Sequence, residues 1–230
     1  MTARNWVEGV QAVLSDLDGT LADTAADLGH VLNLQREARG LSAVPLETLR
    51  PLVSQGARGM LRAGFGLTPE DTEYTAMRDE FLDLYADNLD RNTHLFDGIP
   101  ELLAALDARE LRWGVVTNKM ERFTLPVLRA LGLLDRAACV ISGDTCARAK
   151  PYPDPLLEAA RMLDLAPHVC MYLGDDERDV QASRAAGMCP IVAMYGYLGE
   201  DNPPPQWGAD RLIDHPMQLL NLLKPPSAVG

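Results

Sequence analysis

The chain has 230 residues, 47% of them hydrophobic and 23% charged, with a formal net charge of −12. That apolar content supports a folded core and excludes an intrinsically disordered chain, and the acidic balance excludes a binder of nucleic acid or anionic lipid that works through a basic surface. No stretch is apolar for the roughly 18 residues that a membrane-spanning helix needs.

The N-terminus, Met1-Thr2-Ala3-Arg4-Asn5-Trp6 followed by Glu8, has no apolar run leading to a small-residue cleavage site. It predicts no secretory signal, and hence a cytoplasmic protein. Short apolar runs then alternate with helix-length amphipathic stretches, the pattern of βα repetition in a mostly parallel sheet. Predicted strands are Val10–Leu14, Trp113–Val116, Ala138–Ile141, Val169–Leu173 and Pro190–Met194. Predicted helices run over Pro100–Arg109, Glu121–Leu131, Pro155–Leu163 and Arg178–Ala186, with Gly132 and Gly187 where C-terminal caps belong. After the turn-rich Asn202-Pro203-Pro204-Pro205, the tail offers a last edge strand at Arg211–Ile213 and a helix at Met217–Leu223.

One segment breaks this rhythm. From Ala22 to Asn92 there is helix-like pattern but no convincing strand, punctuated by Gly40, Pro45, Pro51, Gly56, Gly66 and Pro69. About 70 residues is too long for an ordinary crossover, so an inserted helical domain is expected. The four cysteines (Cys139, Cys146, Cys170, Cys189) show no metal-finger spacing, and three lie in strand-like runs that predict buried, reduced thiols.

Four groups of polar residues sit where these strands end. Ser15-Asp16-Leu17-Asp18-Gly19-Thr20 follows the first strand, and in open parallel sheets ligands bind beyond the carboxyl ends of strands. Two residues apart on an extended chain, Asp16 and Asp18 would face the same side before Gly19 turns the chain away. Thr117-Asn118 follows the second core strand, Lys150 precedes the stiff Pro151-Tyr152-Pro153, and Leu173 runs into Gly174-Asp175-Asp176-Glu177-Arg178-Asp179. Each alone also fits a turn, a helix cap, a surface lysine or a solvated acidic loop. Their conjunction is more specific. Two carboxylates about 4 Å apart repel by roughly 4 kcal/mol at an effective dielectric near 20. Three of them therefore call for a cation, and hard oxygen ligands suit Mg²⁺ with a phosphate oxygen. Thr117, Asn118 and Lys150 supply donors for the remaining phosphoryl oxygens.

Asp16-x-Asp18-Gly19-Thr20, Thr117-Asn118, Lys150 and Gly174-Asp175-Asp176-x-x-Asp179, in that order, resemble the four motifs of the haloacid dehalogenase superfamily. The resemblance covers essentially the whole chain. It implies an α/β fold with a Rossmann-like doubly wound parallel sheet formed by residues 1–21 and 93–230, and an inserted α-helical cap at residues 22–92. Leu21-Ala22-Asp23-Thr24, Thr117-Asn118-Lys119 and Lys150-Pro151 are similar to the phosphoglycolate phosphatase group. Ser54-Gln55-Gly56-Ala57-Arg58, Tyr195-Gly196-Tyr197, Asp201-Asn202-Pro203 and Trp207-Gly208-Ala209-Asp210 resemble its N-acetylmuramic acid 6-phosphate phosphatase branch. Ser15 departs from the large apolar residue that is usual in the family, with a looser or wetter patch behind Asp16 as the expected consequence.

The resemblance implies that Asp16 is a nucleophile forming an aspartyl-phosphate and that Asp18 is the acid, then base. Mg²⁺ would be held by Asp16, the backbone carbonyl of Asp18 and Asp175, with Asp176 and Asp179 acting through water or by orienting ligands. Thr117, the backbone near Asn118, and Lys150 would stabilise the transferring phosphoryl group. Arg58, on the cap, is the candidate for a substrate carboxylate or sugar group. The expected partner is a small phosphorylated metabolite, 2-phosphoglycolate or N-acetylmuramic acid 6-phosphate, handled by a monomer or homodimer. Phosphosugar mutases share the four motifs, so transfer back to sugar is the alternative chemistry, and a non-catalytic binding module is the remote one.

Overall fold

The computed structural model describes residues 9–199 and 202–223. The reading of the N-terminus therefore lies outside the described residues, as does Asp201. A six-stranded sheet runs in the order β5-β4-β1-β6-β7-β8, formed by β1 (Ala12–Ser15), β4 (Arg112–Val116), β5 (Val140–Ile141), β6 (Cys170–Gly174), β7 (Cys189–Ala193) and β8 (Arg211–Ile213). Every pairing in it is parallel. The strand β1 lies at the centre, in register with β4 through Ser15–Val115 and with β6 through Ser15–Leu173. All four of its residues are buried, as a strand covered on both faces requires.

Alternation along the strands divides the core in two. Val13, Val115, Met171 and Leu173 point into one cluster, closed by Leu102, Leu103 and Leu106 of α5 (Ile99–Ala108) and by Val127 and Leu128 of α6 (Glu121–Ala130). Leu14, Val116, Cys170 and Tyr172 point into the other, closed by Leu156, Ala159 and Ala160 of α7 (Asp154–Met162) and by Ala182 and Ala186 of α8 (Glu177–Ala186). This is the doubly wound α/β arrangement expected from the sequence. Gly187 caps α8 with a left-handed φ of 77°, and Gly132 after α6 has a φ of 69°. Cys139, Cys170 and Cys189 are buried, and none of the four cysteines is in a disulfide.

Three details differ from the sequence reading. Ala22–Asp23 is a strand, β2, antiparallel to β3 (His94–Leu95), too short to show periodicity. Only Val140–Ile141 of Ala138–Ile141 is strand, because this edge segment has one neighbour. The C-terminal helix is a 3-10 turn, Pro216–Gln218, followed by the single turn α9 (Leu219–Leu222), since Pro216 fixes the entry.

Between β2 and β3 lie only helices: α1 (Ala25–Glu37), α2 (Leu46–Leu49), a 3-10 segment (Arg50–Gln55), α3 (Gly56–Phe65) and α4 (Tyr74–Ala86). They share a core of Val31, Leu32, Leu49, Met60, Phe81 and neighbours that also takes in Phe123 and Tyr197, so the segment rests on the sheet's C-terminal edge. At its root the buried Asp27 carboxylate accepts hydrogen bonds from the backbone N–H groups of Asn92 and Thr93 (2.9 and 3.0 Å) and from the Thr93 hydroxyl (2.7 Å). That buried, fully bonded carboxylate ties the two crossings together. No helix among the described residues is long and apolar enough to cross a membrane.

Candidate active site

The C-terminal ends of β1, β4 and β6 converge on one cavity of about 320 Å³, walled on the opposite side by α1, α3 and α4. Asp16 follows β1 directly, and its backbone N–H donates to the Leu173 carbonyl at 2.9 Å. The chain then bends. Thr20, Leu21 and Ala22 all donate to the Leu17 carbonyl, at 3.3, 3.0 and 2.9 Å. The extended geometry assumed for Asp16 and Asp18 thus ends at Ser15, yet both carboxylates still line the cavity. Ser15 itself is buried, 5% exposed.

Asp16, Asp175 and Asp179 each offer a carboxylate oxygen, all within 4.8 Å of one another. Asp175 is fully buried and accepts hydrogen bonds from the Thr20 hydroxyl (2.9 Å), the Ser54 hydroxyl (3.1 Å) and the Tyr197 N–H (2.9 Å). Two glycines make room for it. A Cβ on Gly19, whose φ is +83°, would stand 2.1 Å from Asp175 Oδ2, and one on Gly196 would stand 2.3 Å from Asp175 Cβ. Asp179 closes the capping box of α8, where the Asp176 N–H donates to its Oδ2 at 3.0 Å.

Lys150 stands among these acids. Its ammonium lies 3.0 Å from Asp16 Oδ2 and 2.7 Å from Asp179 Oδ1 and donates to the Tyr172 hydroxyl at 2.8 Å, with the side chain 2% exposed. Asn118 fixes the lysine's backbone from both sides: its Nδ2 donates to the Lys150 carbonyl (2.9 Å), and the Lys150 N–H donates to its Oδ1 (3.0 Å). The Asn118 side chain is therefore spent on positioning Lys150. Thr117, at the end of β4, is buried and lines the cavity.

The electrostatics follow from the crowding. Burial, then the neighbouring Asp16 and Asp179 charges, push Asp175 well above the ordinary carboxylate range. Burial raises Asp179 to about 6 even with Lys150 beside it. Burial would lower the Lys150 ammonium, but Asp16 and Asp179 outweigh that and raise it. Three carboxylates against one lysine leave a formal charge of −2 at the cluster. Such a buried, all-oxygen donor set with surplus negative charge fits a hard divalent cation. The residues present fit the expected Mg²⁺.

The remaining acids of the motifs divide between this cluster and other partners. Asp18 is bound instead to Lys119, whose ammonium donates at 3.0 and 3.2 Å to its two oxygens, and to the Thr24 hydroxyl at 2.7 Å. Of the two acids expected to act through water or by orienting ligands, Asp179 lies directly in the acid cluster, whereas Asp176 turns to Arg178 (2.8 Å). That guanidinium outweighs burial and keeps Asp176 below its ordinary value. Arg58 is exposed and lines the cavity. Sequence reasoning gave no role to Lys119, Tyr85, Ser54 or Arg178, all of which line the cavity. For Lys119, the signal was its place in the Thr117-Asn118-Lys119 stretch. Ser54 and Arg178 lie inside stretches the sequence singled out, Ser54–Arg58 and Gly174–Asp179, whereas Tyr85 reaches the site from α4, an element whose approach no spacing rule reveals.

The haloacid dehalogenase-like hydrolase family model matches residues 13–193. An N-acetylmuramic acid 6-phosphate phosphatase of Pseudomonas aeruginosa is 42% identical over 93% of this chain and 95% of its own length. A phosphoglycolate phosphatase of Xanthomonas campestris pv. campestris is 44% identical over 91% of this chain and 94% of its own. In fold alone, the crystal structure of a predicted phosphoglycolate phosphatase from Haemophilus somnus superposes with a TM-score of 0.82 at 24% identity, covering 93% of this chain and 98% of that one. The chain belongs to the haloacid dehalogenase-like hydrolase family and is, with these relatives, a phosphatase.

Proposed function

We propose that this protein is a Mg²⁺-dependent hydrolase of a small cytoplasmic phosphomonoester, working through an aspartyl-phosphate. The observation that carries the reading is Asp16, a carboxylate at the end of the central strand, facing Lys150 at 3.0 Å and flanked by Asp175 and Asp179. Asp16 attacks phosphorus, the bond to the alcohol oxygen breaks, and Asp18 gives that oxygen its proton. Asp18 then takes a proton from a water that attacks the phosphoryl group, releasing phosphate and regenerating Asp16.

Lys150 and Thr117 face the equatorial oxygens, where charge spreads in a loose transition state. Asn118 serves by pinning Lys150. Asp16 and Asp175, with Asp179 beside them and the backbone carbonyl of Asp18, would hold Mg²⁺. The cation supplies charge neutralisation where phosphoryl oxygens meet the acid cluster. Residues 22–92 act as a cap that keeps bulk water from the intermediate, and Arg58, exposed on the cap side of the cavity, contacts the distal part of the substrate.

Candidate substrates are 2-phosphoglycolate and N-acetylmuramic acid 6-phosphate, on which two of the similar proteins act by name. Both carry a carboxylate besides the ester. The test is Asp16→Asn, assayed for phosphate release from both compounds with saturating Mg²⁺. Turnover should fall by about four orders of magnitude or more, and wild-type turnover by the variant would falsify the reading.

A further inference from the structure

Among the described residues, five cations line the cavity: Arg58, Arg78, Lys119, Lys150 and Arg178. Lys150 is engaged by Asp16, Asp179 and Tyr172. Arg178 is engaged by Asp176 and by the Ser54 carbonyl at 2.7 Å. Arg78 pairs with Asp79, and Arg58 is exposed. Lys119 is different. Its side chain is 6% exposed, and its ammonium donates to both Asp18 oxygens and to the Tyr85 hydroxyl at 2.7 Å, 4.7 Å from the centre of the Tyr85 ring. Tyr85 belongs to α4 and is packed against Phe123, ring centres 5.2 Å apart.

This arrangement holds Asp18 purely as an acceptor. Its Oδ1 takes Lys119 and Thr24, and its Oδ2 takes Lys119. A carboxyl group that must present a proton to a leaving oxygen cannot do so while an ammonium spans both its oxygens. Something must take Asp18's place. A second carboxylate does this at little cost, because one charge-assisted bond replaces another and the buried ammonium is never left unpaired.

We infer that Lys119 couples substrate recognition to the chemistry: a carboxylate on the substrate displaces Asp18 from the Lys119 ammonium, which frees Asp18 to turn to the leaving oxygen. Lys119 is thus a positioning and specificity-determining residue, and Tyr85 holds its ammonium in place from the cap side. The inference rests on the proposed role of Asp18. The substrate chemistry it selects is a phosphomonoester whose carboxylate lies near the ester oxygen when that oxygen faces Asp18. In 2-phosphoglycolate the carboxylate sits on the carbon that bears the ester oxygen. In N-acetylmuramic acid 6-phosphate it sits across the sugar ring. Esters without the carboxylate leave Asp18 held, so discrimination falls on kcat and not on KM alone.

The experiment compares wild type, Lys119→Met and Tyr85→Phe on two substrate pairs with saturating Mg²⁺. One pair is 2-phosphoglycolate and ethyl phosphate; the other is N-acetylmuramic acid 6-phosphate and N-acetylglucosamine 6-phosphate. Wild type should favour the acid in kcat in at least one pair, and the responsive pair tells which carboxylate reaches Lys119. Lys119→Met should shrink that kcat ratio by about tenfold or more, the size expected for one charge-assisted pair. Tyr85→Phe, which keeps the packing, should shrink it less and carries the test if the methionine variant does not fold. A ratio that survives both substitutions, or a wild type that turns over both members of each pair at equal kcat, overturns the inference and leaves the phosphatase reading intact. No phosphate released by wild type from any of the four esters removes that reading first, and the inference with it.

Discussion

Replacing Lys150 by Met removes the positive side chain that separates Asp16 from Asp179. The ammonium lies 3.0 and 2.7 Å from these acids and is 2% exposed. At an effective dielectric near 20, each contact is an attraction of about 6 kcal/mol before desolvation is charged against it. Taking one partner out of such a buried group typically costs 3–5 kcal/mol, roughly, since the remaining charges stay buried. For a chain of this length each kcal/mol moves the melting temperature by about 2–4 °C, so the metal-free variant should melt about 6–20 °C below wild type at pH 7.

The formal cluster charge goes from −2 to −3. Mg²⁺ should therefore stabilise the variant more than wild type and narrow the gap. Acidification to pH 5 should narrow it too, because Asp179, raised by burial to about 6, then takes up a proton. Thermal melts followed by circular dichroism, in chelator and in Mg²⁺ at both pH values, read all four quantities. A gap indifferent to both cation and pH would refute the claim that Lys150 is there to balance crowded acids.

The unsubstituted, metal-free protein should lose stability as pH rises between about 4 and 6. Burial raises Asp179 to about 6 in the folded state, so the folded chain binds the extra proton throughout that window; the loss amounts to about 2–3 kcal/mol, and saturating Mg²⁺ should flatten the slope in a pH series of urea melts. Gly19→Ala puts a Cβ 2.1 Å from Asp175 Oδ2 at a φ of +83°. It should destabilise by about 1–3 kcal/mol and weaken Mg²⁺ binding in calorimetry, and an unchanged cation affinity would count against Asp175 as a ligand. Arg58→Ala should raise KM several-fold with little change in kcat or melting temperature, because the side chain is exposed and distal to phosphorus; equal KM on every active substrate removes Arg58 from the binding surface.

Much of this molecule is legible without coordinates. The parallel sheet follows from apolar runs spaced by helical pattern, and the edge strand falls at Arg211–Ile213 as read. Asp16, Thr117, Lys150 and Asp175 gather at one place because all lie at or just beyond the carboxyl ends of parallel strands, or at the loop that Asn118 pins there. Periodicity and strand direction are properties of the chain itself, and they suffice to bring those four together.

The rest was decided in three dimensions. Whether Asp179 or Asp18 joins the acid cluster depends on α8 starting under Lys150, and on the Leu17–Ala22 turn carrying Asp18 across to Lys119. Ser54 reaches Asp175, and Tyr85 reaches Lys119, only because the helices between β2 and β3 pack onto Phe123 and Tyr197. Those contacts join residues far apart in the chain, and the angle at which two packed layers meet is set by the shapes of many side chains at once. A local pattern reports which face of an element is apolar, but not which residue of another element will be pressed against it.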